Sequence, residues 1–279
     1  MQVNKHYKDS VFSSLFSNPD ALRELYSAIE GVPLPPDISI DINTLSDILY
    51  MNQINDISFT IDNRLVVLIE HQSTINSNMP LRLLMYITHV YEKIIDRNRL
   101  YHSKIEKIPS PEFIVLYNGK EPYPNHNVLR LSDAFRNIEG LRESKAASLE
   151  LVVQVYNINY GHNQELLKKS ETLDGYSFFV EKVREYEKEL PFEEAMKRAI
   201  KYCIEHNILK RFLERNSSEV FNMLLTEWNM DDAKIAWREE AREETQEEIA
   251  RNALAEGASV EFVQKITGLD METILELKN

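Results

Sequence analysis

The residues best suited to chemistry are Asp56, Glu70 and Gln72, in the stretch 55–74 reading NDISFTIDNRLVVLIEHQST. Asp56 opens an alternating run, with Ile57, Phe59 and Ile61 on one side and Ser58 and Thr60 on the other. Residues 65–69 are continuously apolar, the pattern of a strand buried on both faces. The two runs flank Asp62-Asn63-Arg64 and read as a β-hairpin. The buried run then ends, against its own logic, in Glu70-His71-Gln72. Alternation puts Glu70 and Gln72 on one face and turns His71 away.

Register decides whether Asp56 joins them. A two-residue turn at Asp62-Asn63 pairs Ile61 with Arg64 and sets Asp56 opposite Ile69. A three-residue loop, 62–64, pairs Ile61 with Leu65 and sets Asp56 opposite Glu70. The longer loop is favoured because it gathers Ile57, Phe59, Leu65, Val67 and Ile69 on one face, and Asn63 tolerates a left-handed backbone. Two carboxylates about 5 Å apart on adjacent strands repel in an interior unless a cation lies between them. Oxygen donors of this kind suit Mg²⁺ or Mn²⁺. The plainer alternative is two solvated strand ends that bind nothing.

Several elements must position these residues. Residues 7–31 have helical spacing, with Asn18-Pro19-Asp20 as a break and Gly31 and three prolines as the end. Residues 38–45 alternate and lead to the hairpin. Pro80 opens a helix expected to reach 103, with Leu81, Leu84, Met85, Thr88, Tyr91 and Ile95 on its apolar side. Arg82 and Lys93 on that helix are candidates for a DNA phosphate backbone, against the blander reading of a solvated face. Residues 111–119 and 149–159 are further strands. His126 and His162 fall in polar loops and read as surface residues. This order implies an α/β fold with a mixed central sheet covered on both faces. From 163 onward the pattern is helical. Residues 173–189, 191–207 and 217–228 carry apolar residues at helical spacing. Residues 231–256 form a long charged helix able to pair with another copy. The tail has two short helices about Gly268, with Ser259 and Asp270 as caps. Asp270, Glu272 and Glu276 would repel phosphates, so the tail suits protein contacts better than base reading. The expected domains are a core at 1–160, a helical extension at 161–228 and a charged helix with a hairpin tail at 229–279.

The chain has 279 residues and a formal net charge of −13, which argues against a simple basic DNA binder. From Thr226 onward there are 6 Lys/Arg against 14 Asp/Glu. The rest is mildly acidic, so affinity for any nucleic acid should be modest and salt-sensitive. No apolar run is long enough for a membrane span. With no apolar signal segment at the N-terminus, the expected location is cytoplasmic. Cys203 is the one cysteine, which excludes an intramolecular disulfide and a cysteine zinc cluster; it reads as a small core residue.

Three longer strings, LYMNQINDISF, IEHQSTINSNMPLRLLMYITHVYE and PEFIVLYNGKEPYP, resemble the Rpn family of recombination-promoting nucleases, labelled transposases of the PD-(D/E)XK superfamily. The resemblance begins at Lys8-Asp9-Ser10-Val11-Phe12 and runs to about Asn159, weakening into the helices beyond. It implies a restriction-endonuclease-like core followed by an all-helical region. It also implies Asp56 and Glu70 as metal-binding carboxylates, with the His71 backbone carbonyl as a further ligand. Gln72 takes the place where the superfamily usually has lysine, and an amide orients groups without supplying charge. Asp9 matches a KD motif and would add a third acid through water. The implied function is Mg²⁺-dependent DNA endonuclease activity, with Mn²⁺ or Ca²⁺ as other ions, linked to recombination or mobile elements. The implied partners are DNA and a second copy held through the C-terminal helices. The alternative is a non-catalytic assembly or regulatory protein on a degenerate nuclease scaffold.

Overall fold

The structure, a computed structural model, describes residues 11–42, 56–136 and 147–277. The chain forms two compact units, Met1–Leu224 and Leu225–Asn279. In the first, the expected N-terminal helix is two helices, α1 (Val11–Leu15) and α2 (Pro19–Glu30). The break falls at Asn18, whose Oδ1 accepts from Ala21 N at 2.9 Å, and Gly31 at φ 74° closes α2. A left-handed residue after the last turn is a common helix stop.

The sheet has six strands: β1 (Ile40–Asp41), β2 (Asp56–Ile61), β3 (Leu65–Gln72), β4 (Ser110–Tyr117), β5 (His126–Arg130) and β6 (Val152–Asn157), in spatial order β1-β2-β3-β4-β6-β5. β3, β4 and β6 run parallel; the other neighbouring pairs are antiparallel. It is therefore a mixed sheet, as the element order predicts. β5 was not anticipated. Its residues are only half-buried at the sheet edge, and an edge strand with one neighbour leaves a weak apolar signal. His126 thus begins a strand rather than sitting in a loop, though it is exposed as expected.

One face of the sheet is covered by α3 (Met79–Ile94). Met79, Leu83, Tyr86, Ile87 and Val90 pack on Val66, Leu68, Phe113, Val115 and Val155. This corrects the expected apolar side, since Leu81 and Met85 are about half exposed. Leu81, Met85 and Ile94 put apolar residues on the exposed side as well, so periodicity alone did not choose the docked face. It also ends nine residues short of 103. Ile95 turns extended, and Asp96 accepts from Asn98 N at 3.0 Å, opening a 3-10 turn at Arg97–Tyr101. A short carboxylate offers the backbone a local alternative to continuing the helix.

After β6 come α4 (Gln164–Leu167), α5 (Glu171–Glu187), α6 (Phe192–Glu205) and the long α7 (Lys210–Ala255), whose backbone leaves helical geometry at Asn216. α1, α2 and α5 cover the second face. Phe12 stacks on His71 with ring centroids 4.7 Å apart, Tyr26 meets Phe59 edge-on, and Tyr176 meets Phe12 edge-on. Cys203 is fully buried in α6, and burial pushes its thiol up to about 12. In the second unit, α8 (Val260–Thr267) and α9 (Met271–Leu277) enclose a small core of Ala250, Val263 and Ile274. The expected caps are present: Phe262 N donates to Ser259 Oγ at 3.2 Å and Thr273 N to Asp270 Oδ1 at 2.9 Å. No helix among the described residues is long and apolar enough to cross a membrane.

Candidate active site

The hairpin sets the site. Asp62 and Asn63 both take left-handed backbone, φ 49° and 52°, and Arg64 N donates to Ile61 O at 2.9 Å. Ile61 therefore pairs with Leu65, and the ladder runs on to pair Asp56 with Glu70. This is the register of the three-residue loop. Directly paired residues of an antiparallel ladder share a face. The Asp56 side chain and the whole of Asp9 lie outside the described residues.

Glu70 is 2% exposed, near the end of β3, with Val115 of β4 as its parallel neighbour. Its two oxygens are held by different donors. Gln72 Nε2 donates to Oε2 at 2.6 Å, and Arg82 Nη2 donates to Oε1 at 3.2 Å. Arg82 reaches in from the first turn of α3 and also donates to the Tyr86 hydroxyl at 3.0 Å. Met79 Sδ, a weak acceptor, lies 2.8 Å from Gln72 Nε2 and 3.4 Å from Arg82 Nη1. Burial pushes the Glu70 carboxyl above the ordinary range, while the Arg82 charge and the two hydrogen bonds pull the other way. Desolvation is the larger effect, as expected for an anion almost wholly out of water.

His71 faces the other layer. Its ring stacks on Phe12, its Nε2 shares a 3.1 Å hydrogen bond with the Tyr176 hydroxyl, and its Nδ1 is buried without a hydrogen-bond partner among the described residues. Burial, with the Arg184 charge, lowers its pKa to about 3, so the ring is neutral. This side chain is structural, which leaves only the His71 backbone on the Glu70 side of the question. Arg184 braces the strand ends by donating to Asn118 O at 2.6 Å and to Asn159 Oδ1 at 2.7 Å.

The remaining candidates fall elsewhere. Lys93 is exposed in the last turn of α3. His126 bonds Gln154 at 2.8 Å and His162 bonds Asn125 at 2.7 Å, both on the surface. Sequence reasoning offered Arg82 to a phosphate and missed its carboxylate. It also missed Tyr86 and Met79. The four-residue spacing of Arg82 and Tyr86 on one helix was the available signal.

Among the described residues, no three His, Cys, Asp or Glu side chains gather at one point. The donor types that are present nonetheless fit a hard cation. A carboxylate removed from water stands opposite a second acidic residue in the β2–β3 ladder.

Fold and site together define an α/β protein with a mixed six-stranded sheet and an acidic centre at the carboxyl end of its buried strand β3. Residues 42–173 match the family described as "Putative transposase, YhgA-like", which bears out the resemblance drawn from the sequence. The matched stretch contains β2 to β6, α3 and every residue of the Glu70 cluster. No curated protein and no solved structure matches the chain.

Proposed function

We propose that this protein is a divalent-metal-dependent DNA endonuclease of restriction-endonuclease-like architecture, acting in recombination or mobile-element biology. The observation that carries the reading is the pairing of Asp56 with Glu70 across the ladder, with Glu70 buried at the strand end. The family description, which is of transposases, supports DNA processing.

Asp56, Glu70 and the His71 carbonyl are the residues that would hold the ion, Mg²⁺ by donor type, with Mn²⁺ and Ca²⁺ as test ions. When bound, such an ion supplies Lewis-acid charge at phosphorus and acidifies water. The chain's own residues do the rest. Gln72, acting through an amide, orients Glu70 and a water without contributing charge. Arg82 counters the burial of Glu70 and favours its ionised form. Tyr86 and Met79 hold the guanidinium in place. Hydrolysis joins a water oxygen to phosphorus and breaks the bond to one sugar oxygen.

The experiment is plasmid cleavage by the purified chain with Mg²⁺, Mn²⁺ or Ca²⁺, beside Asp56→Asn and Glu70→Gln variants that keep the wild-type circular dichroism. Cleavage that needs Mg²⁺ or Mn²⁺ and is lost in both variants is expected. Equal cleavage by wild type and variants refutes the assignment.

One observation favours a second reading, a non-catalytic assembly protein on this scaffold. Both Glu70 oxygens already accept hydrogen bonds, from Gln72 and Arg82. Mn²⁺ titration separates the two: equal and negligible binding by wild type and Glu70→Gln supports the second. Self-association through the C-terminal helices belongs to either reading. It is supported by Phe262, Ile266 and Met271, all about half exposed, and sedimentation velocity tests it.

A further inference from the structure

Residues 93–107 are a basic stretch in an acidic chain. They carry Lys93, Arg97, Arg99, Lys104 and Lys107 against Asp96 and Glu106, which leaves 27 Lys/Arg against 43 Asp/Glu elsewhere. They are also exposed. Tyr101 keeps 91% of its surface in water, Ile105 74% and Leu100 61%. Part of the charge is met locally, by Arg97 with Glu92 at 3.7 Å and Arg99 with Glu106 at 3.0 Å. Lys104 and Lys107 are exposed and make no ion pair among the described residues. A ring and two aliphatic side chains left in water beside cations form a patch of the kind that marks an interaction surface.

α3 is the ruler between this segment and Glu70. At one end Met79 Sδ lies 2.8 Å from Gln72 Nε2; near the other the Tyr91 hydroxyl donates to Pro109 O at 2.7 Å. Ser110 N donates to Arg64 O at 2.8 Å, which ties the end of the segment to the hairpin turn. A helix of 16 residues is about 24 Å long. Along the sheet, Leu65 to Glu70 advances about 17 Å.

We propose that residues 93–107 grip the DNA backbone on one side of the cut, with Lys104 and Lys107 on phosphates and Tyr101 against a sugar or an unpaired base. The choice of DNA as partner rests on the nuclease reading; the segment adds where the substrate is held. At 3.4 Å per base pair, the grip lies about five to seven base pairs from the bond broken. A polyanion suits the place, because the stretch is net positive in a chain whose other residues are net acidic. Cations interleaved with an exposed aromatic ring are what sequence-tolerant strand binding uses.

The test is fluorescence anisotropy with the full chain in metal-free buffer across a salt series. The probes are a labelled duplex several turns long and the matching single strand. Lys104→Gln/Lys107→Gln should weaken binding about tenfold at low salt. It should also make the salt slope shallower, by about 1.8 on duplex or about 1.4 on single strand, with thermal unfolding unchanged. Tyr101→Ala should weaken single-strand binding more than duplex binding. The proposal is overturned if the double variant binds with wild-type affinity and slope, or if the wild type does not bind DNA. It is also overturned if the variants change only self-association in sedimentation. Loss of binding in the double variant, beside a wild type that fails to cut with Mg²⁺, Mn²⁺ or Ca²⁺, keeps the grip and sinks the nuclease reading. Wild-type binding in the double variant, beside cleavage lost in Glu70→Gln, does the reverse.

Discussion

Arg82 Nη2 stands 3.2 Å from Glu70 Oε1, a cation on α3 set against a carboxylate that β3 holds out of water. The contact joins the helix covering one face of the sheet to the strand end where the proposed chemistry lies. Glu70 is 3% exposed at its side chain and Arg82 28%, so the carboxylate depends on the guanidinium far more than the reverse. A buried anion that loses its partner costs more than the pair contributes.

Arg82→Met is therefore expected to destabilise the fold by on the order of 2–3 kcal/mol at neutral pH. Adding Glu70→Gln should recover much of that loss, because the stranded charge is gone. Urea denaturation of the two single variants and the double variant measures the coupling. Additive effects would show that the pair is not an energetic unit.

His71 gives stability an acid-side dependence. Its pKa is lowered from 6.5 to about 3 by burial in the folded chain. Between those values the unfolded chain takes up a proton that the folded chain refuses. Stability is then full above about pH 6.5 and falls as pH drops towards 3, by on the order of a few kcal/mol. His71→Leu should flatten this dependence. Denaturation midpoints at mildly acidic and neutral pH should then converge relative to wild type.

Gly119 sits where β4 leaves the sheet beside the Glu70 end of β3. A Cβ there would fall inside contact distance of Ser73 O and the Tyr117 hydroxyl, and the first of these is backbone and cannot swing aside. Gly119→Ala should cost on the order of 1–3 kcal/mol, seen as a lower melting temperature. An unchanged melting temperature would mean that the loop yields freely.

Glu24 caps a helix far along the chain. Its Oε1 accepts from Ser170 Oγ at 2.6 Å and Thr172 N at 3.0 Å, while Ser170 Oγ accepts from Leu173 N at 3.1 Å. Removing it strips acceptors from the start of α5. Glu24→Ala should destabilise by about 1 kcal/mol, with hydrogen exchange accelerated first at Thr172 and its neighbours.

Several local features of the fold were legible in the sequence. Alternation at 56–61 and the apolar run at 65–69 define two strands. Gathering the apolar residues on one face then leaves one satisfactory register, because a slip of one residue would part Ile57 and Phe59 from Val67 and Ile69. Ser259 and Asp270 act within three residues of themselves, and their caps followed from residue type alone; at 18–20 the residue pattern marked the break, and the structure added the Asn18 cap.

What tertiary structure decided was partnership between distant segments. The docked face of α3, the half-buried edge strand β5 and the Arg82–Glu70 pair were not written in any local pattern. Nor were the contact of His71 with Tyr176, 105 positions away, and the Glu24 cap on Ser170, 146 positions away. The physical reason is one of range. Periodicity and capping act over a turn or a strand, so the amino-acid sequence states them where they occur. The choice among several apolar faces, or among several donors for one buried carboxylate, is settled only when the whole core packs and each buried polar group must find a partner.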